Sequence, residues 1–337
     1  MHLEAVMAGA LMTTGANVLI QATFVMTIGW LLERWIAQRG PEAVAFVQRA
    51  TLVAVHSLLP RGGVYVSLPE PGDMGGPLGP AGLAYLTLSL LWLIGALFGM
   101  SRLALGMRTA TNLVSTSSRA DEAWINRAKQ LARSENLPTA RIDALDVRVS
   151  DRIGGPCLVG VRRPVLLLPA ANLASCNDLV LLHELTHLRR SDNFWSLVTA
   201  AVRCGVWVHP LAWRLRRAHH VASEHACDDA VLASRPNPIE YVRSLLDFSY
   251  AGPLVPAAVP AASLFGRRGE LLERSRRLLS RSSERNGDAP QSRRGFASLP
   301  VVVLTLALGV FASTLFAVHH TATAALAGWA LLWCAMP

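Results

Sequence analysis

Long runs nearly free of charge at both ends constrain this chain more than any other feature. From Ala5 to Leu32 the only strongly polar residues are Asn17 and Gln21, and about 20 such residues in a helix cross a hydrocarbon core. A cleaved leader would need a basic start and a small-residue cleavage site. Here Glu4 leads, and Glu33, Arg34 and Trp35 close the segment, so residues 5–32 read as an uncleaved span. A second span, 42–59, is interrupted by Gln48, Arg49 and His56; polar groups of that kind within a membrane face protein or water. A Gly- and Pro-rich loop covers 60–80, a third span 81–100, and a fourth Leu299–Val318, followed by His319, His320 and a short apolar tail at 321–336. The expected organisation is a membrane region at 1–101, a polar domain at 102–297 with an Arg/Ser-rich linker at its end, and a last span with its tail at 298–337.

Charge orients this arrangement. Of the net +9, residues 102–297 carry +10 and the remainder −1. Arg34 and Arg39 lie in the first connection and Arg102 and Arg108 just past the third span, while the 60–80 loop holds one Arg against two acids. Short loops rich in Lys and Arg stay on the cytoplasmic side. That rule places the N-terminus outside, the 33–41 loop inside and the 102–297 domain in the cytoplasm, the topology of a protein of the bacterial inner membrane. The basic residues are scattered, or lie at 267–294 among serines without interleaved aromatics. They therefore predict attraction to anionic membrane lipid and no direct binding of nucleic acid. Five cysteines, none in C-x-x-C spacing, support neither a thiolate zinc site nor a disulfide framework.

The polar domain reads as α+β. Residues 145–169 form short strands: Leu145, Val147 and Val149 alternate, Gly154-Gly155-Pro156 breaks the run, and 158–161 and 165–168 flank Arg162-Arg163-Pro164. An S-x-x-D pattern at Ser175–Asp178 predicts a helix start, and Leu179, Leu182, Leu185 and Leu188 repeat at helical spacing. On that helix stands His183-Glu184-Leu185-Thr186-His187. Histidines four apart leave one face and can close on one ion, and Glu184 beside them can reach a metal-bound water. Neutral imidazoles with an open fourth position suit Zn²⁺, which activates such a water.

A third ligand is required. The pattern with a glycine three residues and a histidine six residues after the second His is excluded, because Arg190 and Asn193 occupy those places. A largely apolar helix, about Phe194–Trp213, comes next and reads as an amphipathic core or interfacial helix. A second polar-faced helix then carries Glu224 and Asp228 four residues apart. Glu224 is expected to bind the metal and Asp228 to hold a ligand histidine by its ring N–H. His225 points elsewhere, and His219 and His220 lie a turn earlier.

The strings L-L-H-E-L-T-H-L-R-R-S-D (181–192), H-P-L-A-W (209–213) and E-H-A-C-D-D-A-V-L (224–232), with Gly160, Pro164, Leu167, Leu168 and Pro169 before them, closely resemble the BlaR/MecR-type membrane metallopeptidases. These are the sensor-transducer proteases of β-lactam resistance and their relatives. The resemblance implies a gluzincin-like cytoplasmic zinc protease domain between the third and fourth spans, with His183, His187 and Glu224 on zinc and Glu184 as general base. One departure stands out. The sensors of that family are acylated at an S-x-x-K serine in a penicillin-binding domain after the last span. Here the sole lysine, Lys129, follows Asn126 by three residues, so no covalent binding of β-lactams is expected and the likeness is to the transducer and protease portion.

The function expected is a zinc endopeptidase acting on a protein substrate, either a cytoplasmic repressor or the chain itself. A membrane-protein quality-control gluzincin and a non-proteolytic zinc adaptor are the alternatives; an intact Glu184 favours the enzyme, since structural zinc has no use for a base. His209, His220 and Tyr241 are the candidate donors to a developing oxyanion. The strands at 158–168 offer an edge on which a peptide could add as a further strand. The segment Gly266–Gly295 reads as helical around Leu271 and Leu278 before becoming a polar linker to the last span, with a self-cleavage or regulatory role as the sharper alternative.

Overall fold

The computed structural model describes residues 22–23, 25–58, 80–248, 262–263 and 268–285. Helix α1 (25–36) and α2 (Pro41–Leu58) form a hairpin that turns at Gly40, φ +102°. The two helices approach closely because Gly29 has no side chain: a Cβ there would lie 2.3 Å from Thr51 Oγ1. Most of the first predicted span, the 60–80 loop, the fourth span and the tail fall outside the described residues.

Among the described residues one helix is long and apolar enough to cross a membrane, Leu90–Ser115, within α3 (Pro80–Ser115). The third span was expected to end at residue 100; the helix runs a further 15 residues. Leu88, Ile94, Leu97 and Phe98 are exposed along it, as lipid-facing residues are. Its other side carries Gly95 and Gly99 against Trp207 and Cys204, where a Cβ on Gly95 would lie 2.2 Å from the Trp207 ring. Small residues four apart let helix backbones approach, and the indoles lock the contact: Trp92 Nε1 donates to Gly205 O (3.0 Å) and Trp207 Nε1 to Trp92 O (3.1 Å). The second predicted span corresponds to α2, which lies against α7 and α8 with Gln48 and Thr51 buried.

The α+β part follows. β1 (Ser118–Arg119), α4 (Glu122–Ser134), α5 (Thr139–Asp143), β2 (Asp146–Ser150), β3 (Cys157–Val159) and β4 (Val165–Pro169) lead to α6 (Asp178–Arg190). With β5 (Ala262–Ser263) the strands form one sheet in the order β1-β2-β4-β3-β5, in which only β2 and β4 run parallel. Gly160, φ +91°, makes the β3–β4 hairpin possible; a Cβ there would lie 2.5 Å from Arg163 O. β4 is buried throughout and packs into the core formed by Leu166, Leu168, Leu181, Leu185, Tyr241 and Leu245.

Three boundaries differ from the sequence expectation. The cap of α6 is Asn177, accepting from Val180 N at 3.1 Å, because Leu173–Ser175 is a 3-10 turn. The predicted helix Phe194–Trp213 is two: α7 (Asp192–Gly205) ends at glycine, and His209 caps α8 (Pro210–Ser234) by accepting from Leu211 N at 3.2 Å ahead of Pro210, since proline suits the first helical position. α9 (Pro238–Asp247) and α10 (Arg268–Arg285) complete the described chain.

The α3–α7 contact predicts that Gly95→Leu destabilises the detergent-solubilised protein by about 1–3 kcal/mol through overpacking, while Leu97→Ala, on the exposed side, leaves thermal unfolding unchanged. Equal unfolding curves for Gly95→Leu and wild type would contradict this packing.

Candidate metal centre

Helix α6 is enclosed on every side from Leu179 to Leu188 by the sheet, α4, α8 and α9. A polar side chain on it is thus desolvated, and three of them are His183, Glu184 and His187, with relative exposures of 0%, 0% and 1%. The α8 helix crosses this face with Glu224 and Asp228, also buried. His183 Nε2 and His187 Nε2 are 3.1 Å apart, Glu224 Oε1 is 3.3 Å from His187 Nε2, and Glu224 Oε2 is 3.5 Å from His183 Nε2. Atoms bonded to one tetrahedral ion at about 2.0–2.1 Å sit roughly 3.3 Å from one another. The three ligand positions fit a metal ion.

The outer nitrogens fix the tautomers. His187 Nδ1 lies 2.9 Å from Asp192 Oδ2. His183 Nδ1 lies 2.7 Å from the Tyr241 hydroxyl, which itself donates to Asp228 Oδ1 at 2.8 Å. With its one proton given to Asp228, that hydroxyl accepts from His183. Both Nε2 lone pairs are therefore left for a metal, the arrangement by which carboxylates orient ligand imidazoles. Asp228 reaches His183 mainly through Tyr241, its own oxygen being 3.4 Å from Nδ1.

Three guanidiniums hold the carboxylates in place. Arg274 of α10, 1% exposed, lies 2.7 Å from Glu224 Oε2 and 2.6 and 2.9 Å from the two oxygens of Asp228. Burial pushes both carboxyls up, but Arg274 and the histidines bring Glu224 well below its ordinary value and lower Asp228 as well. On the far side of His187, Asp192 is bonded by Arg49 of α2 and lies 3.3 Å from Arg190 Nε, which in turn reaches Glu42 of α2 at 2.7 Å. Asp192 is likewise lowered in spite of burial by His187, Arg190 and Arg49. Ser191, in the left-handed conformation at φ 59°, turns α6 into α7 so that Asp192 faces back on His187, and Arg141 bonds Leu188 O and Ser191 Oγ at that turn.

Glu184 has no such support. Neither carboxylate oxygen makes a well-formed hydrogen bond among the described residues, and burial raises its pKa to about 7 against the opposing pull of His187, His183 and a weak contact with the Leu158 backbone. A buried carboxylate with so little compensation is costly, and it lies within the field of His187, His183 and Glu224.

A second trio, His187 Nδ1, Asp192 Oδ2 and Cys227 Sγ, also lies close together, with the sulfur 3.3 Å from the nitrogen. Charge separates the two. Around the first trio stand Glu184, Glu224 and Asp228 against Arg274 alone; around the second, Asp192 is already opposed by Arg49 and Arg190, and burial pushes the Cys227 thiol to about 12. A cation favours the first.

Of the residues named from sequence, His183, His187, Glu184, Glu224, Asp228 and Tyr241 come together. Tyr241 bridges His183 and Asp228 with its hydroxyl. His209 caps α8 and bonds Thr23 at 2.8 Å, and His220 pairs with Glu270 at 3.0 Å. Asp192, Arg49 and Arg274 were not anticipated as parts of the site. Asp192 sits one turn beyond the second histidine, a position open to sequence reasoning; Arg274 is 46 residues from its partner Asp228, with no local signal.

A family profile described as BlaR1 peptidase M56 matches residues 81–278, more than half the chain and every residue of this cluster except those of α2. The chain belongs to the BlaR1 peptidase M56 family. The resemblance of the H-E-x-x-H and E-H-A-C-D-D strings is thereby borne out, and with it a peptidase domain. The curated Regulatory protein BlaR1 of Bacillus licheniformis is 35% identical over 86 residues, which is 25% of this chain and 14% of that protein. The aligned stretch is thus a small part of the relative's length.

In this M56 peptidase, Asp192→Asn should weaken metal binding about 10–100-fold, the usual effect of removing a carboxylate behind a ligand histidine, as read by chelator competition. Unchanged affinity would remove Asp192 from the centre.

Proposed function

We propose that this chain is a zinc endopeptidase of the cytoplasmic membrane, its gluzincin-like domain facing the cytoplasm, hydrolysing a peptide bond in a cytoplasmic protein as a step of signal transduction. The observation that carries the reading is Glu184: a fully buried carboxylate without a well-formed partner among the described residues, beside three convergent ligand atoms. A site that held metal only for structure would have no place for it.

Zinc, when bound, polarises the scissile carbonyl and lowers the pKa of water toward about 7. His183 and His187 would hold it through Nε2 and Glu224 through a carboxylate oxygen, while Arg274 keeps Glu224 ionised and turned inward. Glu184 accepts the proton of the attacking water on its carboxylate and delivers it to the amine nitrogen as the C–N bond breaks. Asp192 and the Tyr241–Asp228 pair keep both imidazoles in the tautomer that offers Nε2. His220 is the candidate for the oxyanion among the three named: burial is the largest single influence and lowers its pKa, but the pairing with Glu270 and the field of Glu224 together carry it above the ordinary value.

One observation favours the chain itself as a substrate. β3 runs beside α6, its carbonyl at Leu158 accepting from Asn193 Nδ2 at 2.9 Å, and a peptide adding to a free strand edge binds by main-chain hydrogen bonds. That edge carries the chain's own β5, antiparallel, with Ala262 opposite Leu158 and Ser263 opposite Cys157.

The test is mass spectrometry of cleavage products from cells expressing wild type or Glu184→Gln. The substitution should keep full zinc stoichiometry and lower cleavage at least about 100-fold, the scale of general-base catalysis. Fragments broken near residues 262–263 identify the chain as substrate, and fragments of another protein identify one acting in trans. Undiminished cleavage by Glu184→Gln overturns the mechanism.

A further inference from the structure

Away from the metal ligands, a cleft of about 590 Å³ opens between the α1–α2 turn, the N-terminal half of α8, and α10. Its lining is predominantly cationic, three guanidiniums against the one carboxylate of Glu33. Gly40 and Pro41 put the N-terminal end of the 18-residue helix α2 at its wall, where first-turn amides lack helical acceptors and the helix dipole is positive. Glu42, the acid of that turn, is drawn to Arg190 at 2.7 Å. Three guanidiniums line the cleft: Arg214, Arg217 and Arg277. Arg277 grips Asp229 at 2.6 and 2.7 Å and Arg214 lies 3.6 Å from Glu33, whereas Arg217 has no carboxylate within ion-pair distance among the described residues.

The second, independent observation is Gln48. It is 1% exposed and lines the cleft, and neither its amide nitrogen nor its oxygen has a hydrogen-bond partner among the described residues. Nearly all buried side-chain polar atoms in proteins are paired; a donor left over at a cationic cavity marks the place of a ligand acceptor.

The surroundings are those of a membrane boundary. Arg34 and Arg214 both lie 5.4 Å from the Trp30 ring, and Arg39 lies 5.2 Å from that of the exposed Trp35, and tryptophan with basic residues gathers at headgroup level. Val44, Ala218 and Val221 supply apolar wall beside the charged groups. We propose that this cleft binds a phosphate group, presented by the headgroup of an anionic glycerophospholipid, with Arg217 and the Gln48 amide as the donors that recognise it. Basic pockets between membrane helices on the cytoplasmic side take such headgroups. Occupancy would tie α2, which supplies Arg49 to the Asp192–His187 pair, to α8, which supplies Glu224.

Native mass spectrometry of the full chain in neutral detergent tests this, with phosphatidylglycerol, phosphatidylcholine and inorganic phosphate as separate probes. Wild type should retain one phosphatidylglycerol in preference to phosphatidylcholine. Arg217→Gln, which touches only an exposed side chain, should weaken that binding roughly five-fold, and Gln48→Leu should weaken it as well, both with metal content unchanged. Inorganic phosphate at millimolar concentration should not displace the lipid. Displacement by phosphate alone would overturn the lipid as the source. Equal binding of the two lipids, or phosphatidylglycerol binding unchanged in Arg217→Gln, would overturn the site.

Discussion

Two imidazoles and four carboxylates taken out of water together are tolerable only where each charge meets a counter-charge, and the protein around α6 is arranged to supply them. Ions moved into a protein interior carry a desolvation cost of several kcal/mol each unless paired. Arg274 answers Glu224 and Asp228, and Arg49 and Arg190 answer Asp192. Glu184 is left over, and a divalent cation at the site proposed on His183, His187 and Glu224 would complete the balance. The same balance explains why remote parts of the chain converge here. α2 enters the fold with an arginine that a membrane would reject and buries it against the α6–α7 junction, and α10 returns from beyond residue 267 to place one fully buried guanidinium.

This convergence also gives the membrane-associated helices a physical connection to the metal ligands. Glu42 and Arg49 of α2 reach Asp192 directly or through Arg190, and Asp192 bonds His187. The path from α2 to His187 thus runs through side chains alone: Arg49 to Asp192 to His187. On the opposite edge, β5 on β3 keeps a segment of the same chain beside the active helix.

The sequence was informative where a single element carries its own pattern. The H-E-x-x-H spacing, the Glu224–Asp228 pair and the hairpin around Arg162-Arg163-Pro164 are local, and the fold brings their residues together as the periodicities require. It was less informative where long-range packing decides. Arg49 reads as a defect in a span until Asp192 is seen beside it, and Arg274 reads as one more arginine in a basic linker until α10 folds onto α8. The largely apolar stretch 194–213 hid the break at Gly205, although His209-Pro210 carries the chemistry of a helix start. The capping pattern at Ser175–Asp178 was displaced by two residues because Asn177 offers the better-placed acceptor.

X-ray absorption at the zinc edge of the purified full-length protein tests the central claim most directly. The expected result is one zinc per chain surrounded by nitrogen and oxygen alone at about 2.0–2.1 Å, two of them imidazole. A sulfur scatterer at about 2.3 Å would place the ion with His187, Asp192 and Cys227 instead, and would contradict it.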